Sequence, residues 1–293
     1  MTILRDTVDG DYKKLKVKDA ELLYTVMGTG KPVLCIHGTT LSDIIVAPLQ
    51  LYPQLFEDYQ FITYYRAGYN GSTLEKDSLT IEEGAFHIKQ LLDHLGIEKA
   101  HLVSYSLGGI IAFQFMLDYP QYVESSVLLE PWLTRRSDAA IKALTNLFTK
   151  AFALYQSGKK YEAAIFYIEA ILGTPLMSAV DMTLPRDAWE RLHHAIDATF
   201  LIDVPAASNW SFNMDEALNM VDRPTMPVLA VMGMDSESIV PGFRETQQFL
   251  MDFFPQAQRC GILGATHGLM ALNPLAVGEA IYTFLKSVDN NQG

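Results

Sequence analysis

The run Ser104-Tyr105-Ser106-Leu107-Gly108-Gly109 follows directly on the apolar stretch His101-Leu102-Val103 and leaves this chain few folds to choose from. It predicts a strand that turns abruptly into a helix, with a serine at the turn. A nucleophile forced into so tight a turn leaves no room two residues before or after it for a large side chain. Gly usually fills both places; here Ser104 and Gly108 do, a small departure from G-x-S-x-G. The following helix would aim its free N–H groups and positive end at whatever the serine attacks. The plainer alternative for Ser106 is a turn serine that caps a helix. Ser104 is the poorer nucleophile, because it still lies in the strand and lacks a Gly at the required offset.

Around this turn, short apolar runs alternate with helical patterns. Leu15–Val17 and Glu21–Met27 read as an opening hairpin. Pro32–Ile36, Phe61–Tyr65, Ala100–Val103, Ser126–Glu130, Pro227–Met232 and Arg259–Leu263 read as further strands. Between them, Ile81–Leu95, Gly108–Leu117, Phe243–Phe254 and Pro274–Leu285 carry apolar residues at helical spacing. Such alternation predicts an α/β fold, with a mostly parallel sheet covered on both faces. The pattern changes between about Pro131 and Met226, where apolar residues recur at helical intervals without strand-like runs. Tyr161, Phe166, Tyr167, Phe200, Trp210 and Phe212 make this stretch dense in aromatics. We read residues 1–131 and 226–293 as one core and 132–225 as a helical insertion. An aromatic-rich insertion is usually its own packed core. This one, however, begins at a strand end, where ligands of open α/β sheets bind.

The 293 residues suffice for a large core, and a net charge of −12 argues against a nucleic-acid or anionic-membrane partner. Cys35 and Cys260 form no metal or redox spacing, and each sits in an apolar run as a small buried hydrophobe would. The stretch Met1-Thr2-Ile3-Leu4-Arg5-Asp6 lacks the apolar core of a signal peptide, and no apolar run approaches membrane-spanning length. A soluble cytoplasmic protein is the expectation, with a homodimer left open.

A serine hydroxyl becomes a useful nucleophile only when a base takes its proton, and that base needs an orienting acid. Gly264-Ala265-Thr266-His267-Gly268 places a histidine on a small-residue loop after the last β-rich run. His87, His94, His193 and His194 fall within helical patterns, and His101 begins the elbow strand. His267 is therefore the candidate base.

With these motifs in place, the chain resembles an α/β-hydrolase over nearly its whole length, the insertion excepted. His37-Gly38 after the third strand is similar to the superfamily's oxyanion-loop motif. Arg66-Ala67-Gly68-Tyr69-Asn70-Gly71-Ser72 is similar to its R-G-x-G-x-S loop. The elbow and the His-Gly loop complete the set, in the order nucleophile, acid, histidine. The resemblance implies an α/β-hydrolase fold with an inserted helical cap. It also implies an oxyanion hole formed by the backbone N–H groups of Thr39 and Leu107. His37 would shape its loop rather than transfer protons.

The acid has three candidates. Relatives read G-x-x-D and then proline after the strand equivalent to Pro227–Met232. Here Gly233-Met234-Asp235-Ser236-Glu237 puts Ser236 at that position, with Asp235 and Glu237 on either side. Glu130 ends the strand after the elbow helix, where certain haloalkane dehalogenases and zearalenone-type lactone hydrolases carry their acid. A carboxylate there is costly to bury without a partner. We take Glu130 first and Asp235 as its rival.

The resemblance implies a serine hydrolase of carboxylic esters or lactones, with Ser106 as nucleophile and His267 as base. A hydrophobic small molecule is the expected substrate, and no cofactor or metal is needed. Serine at the nucleophile position counts against haloalkane dehalogenase or epoxide hydrolase chemistry, whose members use aspartate there. Thioesterase, amidase and carbon–carbon bond hydrolase activities use the same triad. A non-catalytic small-molecule-binding protein on this fold is the alternative from a different class.

Overall fold

The structure, a computed structural model, describes residues 12–133, 137–173 and 188–291. The N-terminal stretch read above for a signal peptide, parts of the 132–225 insertion, and the side chains of His193 and His194 lie outside the described residues.

Among the described residues nine strands form one sheet: β1 Lys13–Val17, β2 Ala20–Gly28, β3 Lys31–Ile36, β4 Tyr59–Tyr65, β5 Thr73–Leu74, β6 Ala100–Tyr105, β7 Val123–Leu129, β8 Val228–Gly233 and β9 Ala257–Ile262. Their order is β1-β2-β4-β3-β6-β7-β8-β9, with β5 paired to β2. The pairs that β2 makes are antiparallel, and every pair from β4 onward is parallel.

Strands β6 and β8 are buried along their whole length, as a parallel sheet covered on both faces requires. Alternate residues serve the two faces. Val33, Cys35, Val103, Val127, Leu129 and Val231 face one apolar cluster, and Leu34, Ile36, Leu102, Leu128, Val228 and Ala230 face the other. The second face is covered by helices Ile81–His94, Leu107–Asp118 and Phe243–Phe253. Thr80 starts the first of these with a capping box to Glu83. The first face is covered by the last helix, Pro274–Asn290, and helices Asp138–Gln156 and Lys160–Leu172 of the insertion add residues to the same apolar cluster. Insertion residues Leu147, Ala151, Tyr167 and Ile168 thus share one apolar cluster with the sheet.

The described part of the insertion continues with helix Ala188–Asp197, a π-helical turn Ala198–Asp203 and short helices Val204–Asn209 and Met214–Leu218. One expectation needs correction. Cys35 is buried, but Cys260 is only partly covered, because β9 is the edge strand and its outer positions meet solvent. Among the described residues no helix is long and apolar enough to cross a membrane.

Candidate active site

The strand order reverses at β3, whose neighbours are β4 on one side and β6 on the other. The carboxyl ends of β3 and β6 flank the crevice that such a reversal opens, the usual ligand position in open α/β sheets. The His37–Thr40 loop leaves β3 there, and Ser106 leaves β6 beside it.

Ser106 is a strained residue, with φ 53° and ψ −120°. A non-glycine residue held in that region costs about 1–3 kcal/mol, so surrounding bonds must hold it. Its N–H donates to the Leu129 carbonyl (3.1 Å), and its own carbonyl accepts from Gly109 (2.9 Å) and Trp132 (2.8 Å). The spacing argument from sequence has a direct cause at Gly108. A Cβ there would stand 2.3 Å from the Ile36 carbonyl oxygen and 2.5 Å from that of His37. Ser104 is buried within β6, with its hydroxyl near the Val127 carbonyl at 3.5 Å.

His267 brings the distant parts together. Its Nε2 lies 3.0 Å from Ser106 Oγ, and its Nδ1 lies 2.6 Å from Glu130 Oε2. All three side chains are buried. A carboxylate only accepts, so Nδ1 carries the proton and Nε2 is left free to accept the Ser106 hydroxyl proton. The ring is stacked against Tyr105 (centroids 4.9 Å apart) and Phe243 (5.0 Å). The Tyr105 hydroxyl also donates to the His267 carbonyl at 2.7 Å. Burial, and then the Glu130 charge, push the Tyr105 phenol well above its ordinary pKa, so it stays a donor.

The other two carboxylates go elsewhere. The Asp235 side chain is exposed, while its backbone N–H donates to the Ala265 carbonyl (2.9 Å). Glu237 accepts the Gly242 and Arg244 N–H groups at 2.9 and 3.0 Å. The loop after β8 therefore leaves the Asp235 carboxylate exposed and spends that of Glu237 on its own turn, and the acid beside His267 comes from the end of β7.

Leu107 follows Ser106 in the chain, and Thr39 lines a cavity together with Ser106. Among the described residues neither N–H is hydrogen-bonded to another backbone group. His37 is buried and neutral: burial, and then the Arg66 charge, hold its pKa well below the usual imidazole value. Its Nδ1 donates to the Gly38 carbonyl (2.7 Å), and its Nε2 accepts the Arg66 backbone N–H (3.0 Å). That is a loop-shaping arrangement, with the one proton of the ring committed to the Gly38 carbonyl.

Two small cavities, each about 20 Å³, border both Ser106 and His267. Each has room for about one water molecule. Thr39 and Ile168 line the first; Trp132, Leu144 and Phe148 line the second, and Tyr167 borders both. A larger groove of about 550 Å³ shares Trp132, Leu144 and Phe148 with the second cavity and extends to Trp210 and Phe212. Trp132 and Phe148 are stacked, with centroids 5.0 Å apart, between the serine and the groove. Sequence reasoning missed Tyr105, Phe243 and Gly233 as supports of the site. Only Gly233 had a signal, as the glycine of the displaced G-x-x-D pattern. Among the described residues no three His, Cys, Asp or Glu side chains cluster to hold a metal ion.

A mostly parallel sheet, a serine on a strand-to-helix elbow and a histidine on the loop after the last strand define the α/β-hydrolase class. The alpha/beta hydrolase fold family matches residues 31–274, and the chain belongs to that family. It is a hydrolase of the α/β fold. Over 271 residues it is 24% identical to RutD of Azorhizobium caulinodans, provisionally named a carbamate hydrolase, spanning 92% of this chain and 97% of that protein. Among solved structures it is similar to a thermophilic esterase of Thermogutta terrifontis, with TM-score 0.70 and 21% identity over 95% of this chain and 99% of that one. It is also similar to the carboxylesterase CesB of Bacillus subtilis, with TM-score 0.72 and 19% identity over 96% and 93% of the two chains. At these identities the structural likeness is one of fold.

Proposed function

We propose that the protein hydrolyses a carboxylic ester or lactone of a hydrophobic small molecule through Ser106, His267 and Glu130. The observation that carries this reading is the pair of bonds made by His267, with Nε2 on Ser106 Oγ and Nδ1 on Glu130. In this reading His267 takes the Ser106 proton as Oγ bonds to the substrate carbonyl carbon. The Thr39 and Leu107 N–H groups hold the oxyanion that develops. Collapse of the tetrahedral intermediate breaks the bond to the leaving oxygen, which takes the proton from His267. Water then attacks the acyl-enzyme, giving its proton to His267, and the acid product leaves as Ser106 Oγ is protonated again. Glu130 fixes the tautomer and stabilises the imidazolium at each stage. The apolar walls of the two cavities and the aromatic groove beyond them support a hydrophobic substrate, with the inserted helices as a cap over Ser106.

Likeness to RutD over nearly the whole chain favours a carbamate or amide bond as the second reading. The same triad would cleave it, with nitrogen as the leaving atom.

A fluorophosphonate probe should label the native protein, Ser106→Ala should abolish labelling, and Ser104→Ala should not. A panel of p-nitrophenyl esters of graded chain length, several lactones and aryl carbamates separates the bond types. Full labelling of the Ser106→Ala protein would remove Ser106 from its role. Carbamate turnover well above ester turnover would favour the second reading.

A further inference from the structure

A second buried polar cluster lies behind the His37–Thr40 loop, and it joins that loop to the inserted segment. Arg66 and Asp203 are at its centre, 4% and 2% exposed. They form a two-pronged pair, with Nη1 on Oδ1 and Nη2 on Oδ2, both at 2.7 Å. Asp203 ends the π-helical turn of the insertion, and the Tyr69 hydroxyl donates to it as well. The rest of the Arg66 guanidinium faces the loop. Its Nε donates to the His37 carbonyl (3.1 Å) and its Nη2 to the Gly38 carbonyl (2.9 Å).

The Gly38 carbonyl belongs to the same planar peptide unit as the Thr39 N–H, and in a trans peptide the two point in opposite directions. Arg66 and His37 both donate to that carbonyl. Fixing the carbonyl therefore fixes the N–H, aimed away from Arg66. Two further bonds reach this loop from the insertion. The Thr40 N–H donates to Thr199 Oγ1 (3.3 Å), and the Thr39 and Tyr167 hydroxyls meet at 3.1 Å.

We propose that Asp203 is a positioning residue for the oxyanion hole, setting the Thr39 N–H through Arg66 and the Gly38 carbonyl. The proposal rests on the reading of Thr39 as an oxyanion donor. Its consequence is that the hole is aligned only while the inserted helices are seated. An Arg66 left without its carboxylate is an uncompensated buried charge that seeks other acceptors and releases the Gly38 carbonyl.

Asp203→Asn keeps the shape and removes the charge. It should lower kcat for a p-nitrophenyl ester by roughly 10–100-fold, because a misplaced donor is lost mainly in the transition state. KM should change little, since the ground-state carbonyl does not fill the hole. Affinity for a trifluoromethyl ketone, which places an oxyanion there after adding to serine, should fall in parallel with kcat. All rates are referred to the fraction of protein that fluorophosphonate titrates. If Asp203→Asn does not fold, Thr199→Val, which removes the hydroxyl that accepts the Thr40 N–H, meets the Tyr69 hydroxyl beside Asp203 and donates to the Ala195 carbonyl, is put to the same measurements and should show the same kcat and inhibitor losses. Titrated protein with unchanged kcat and inhibitor affinity would overturn the proposal, as would a loss explained wholly by the unfolded fraction. A wild-type protein that neither labels nor turns over any ester is a different outcome; it removes the serine-hydrolase reading itself.

Discussion

Glu130 Oε2 lies 2.6 Å from His267 Nδ1 although 137 residues separate them in sequence, and Glu130 Oε1 accepts the Gly233 N–H at 2.7 Å. Both carboxylate oxygens are thus occupied, one by the histidine and one by the end of β8. Glu130 itself has φ 43°, a left-handed turn at the end of β7 that a glutamate rarely adopts. Its N–H donates to the Val231 carbonyl (3.0 Å), holding this turn against β8. Two members of the candidate triad, Ser106 and Glu130, therefore sit in strained backbone on neighbouring strands.

The first prediction separates the acids. Glu130→Gln keeps an acceptor for Gly233 but loses the carboxylate that stabilises the imidazolium. Its kcat for ester hydrolysis should fall on the order of 10³–10⁴-fold. Asp235→Asn, at an exposed side chain, should change kcat little. Steady-state kinetics of the two variants decide it, and the opposite ranking would return the acid to the loop after β8.

Gly108→Ala tests the steric basis of the elbow. The added methyl meets two main-chain carbonyls that no rotamer change can move aside. Destabilisation of about 1–3 kcal/mol is expected, read as a lower urea midpoint. Activity per folded molecule should also drop, because the carbonyls displaced belong to Ile36 and His37, beside the proposed oxyanion donor. A variant as stable and active as wild type would contradict the contact.

Tyr105→Phe keeps the ring against His267 and removes its hydroxyl from the His267 carbonyl. Leaving that buried carbonyl unpaired should cost about 1–3 kcal/mol in thermal or urea unfolding. A modest fall in kcat with KM nearly unchanged should accompany it, since the loop carrying the base is less firmly held. Unfolding curves together with kcat and KM provide the check.

Stability should fall as pH drops below about 6.5, the ordinary histidine pKa. His37, His87 and His101 all have folded-state pKa values below that, in each case chiefly through burial. Between the folded and unfolded values only the unfolded chain takes up the proton. The stabilisation from keeping these rings neutral is therefore whole above pH 6.5 and is lost as pH falls. Each such proton contributes a slope of about 1.4 kcal/mol per pH unit. Urea unfolding from pH 7.5 to 5 measures it, and His101→Gln should make the decline shallower.

Much of the fold was legible because its signals are local. The alternation of strand and helix patterns reflects side-chain periods of two and of three to four residues, which need no knowledge of neighbours. The spacing around Ser106 was legible for the same reason, since the steric limits of a tight turn are written within a few residues. His267 could be found because a small-residue loop after the last strand marks it. Strand ends were less well read: β6 runs on to Tyr105, and β7 stops at Leu129.

The sequence alone determined the α/β architecture, the elbow serine and the loop histidine, since each depends on short-range sterics and periodicity. Tertiary structure decided which carboxylate meets that histidine. Glu130, Asp235 and Glu237 all follow strand ends, and only the placement of β7 between β6 and β8, with the turn at Glu130, brings one of them to Nδ1. The same holds for the Arg66–Asp203 pair, whose partners lie 137 residues apart in separate parts of the fold. Nothing near Asp203 marks it as a partner of the residues that hold the His37–Thr40 loop. A buried charge pair is fixed by which surfaces pack together, and packing between distant segments leaves no periodic trace in either one.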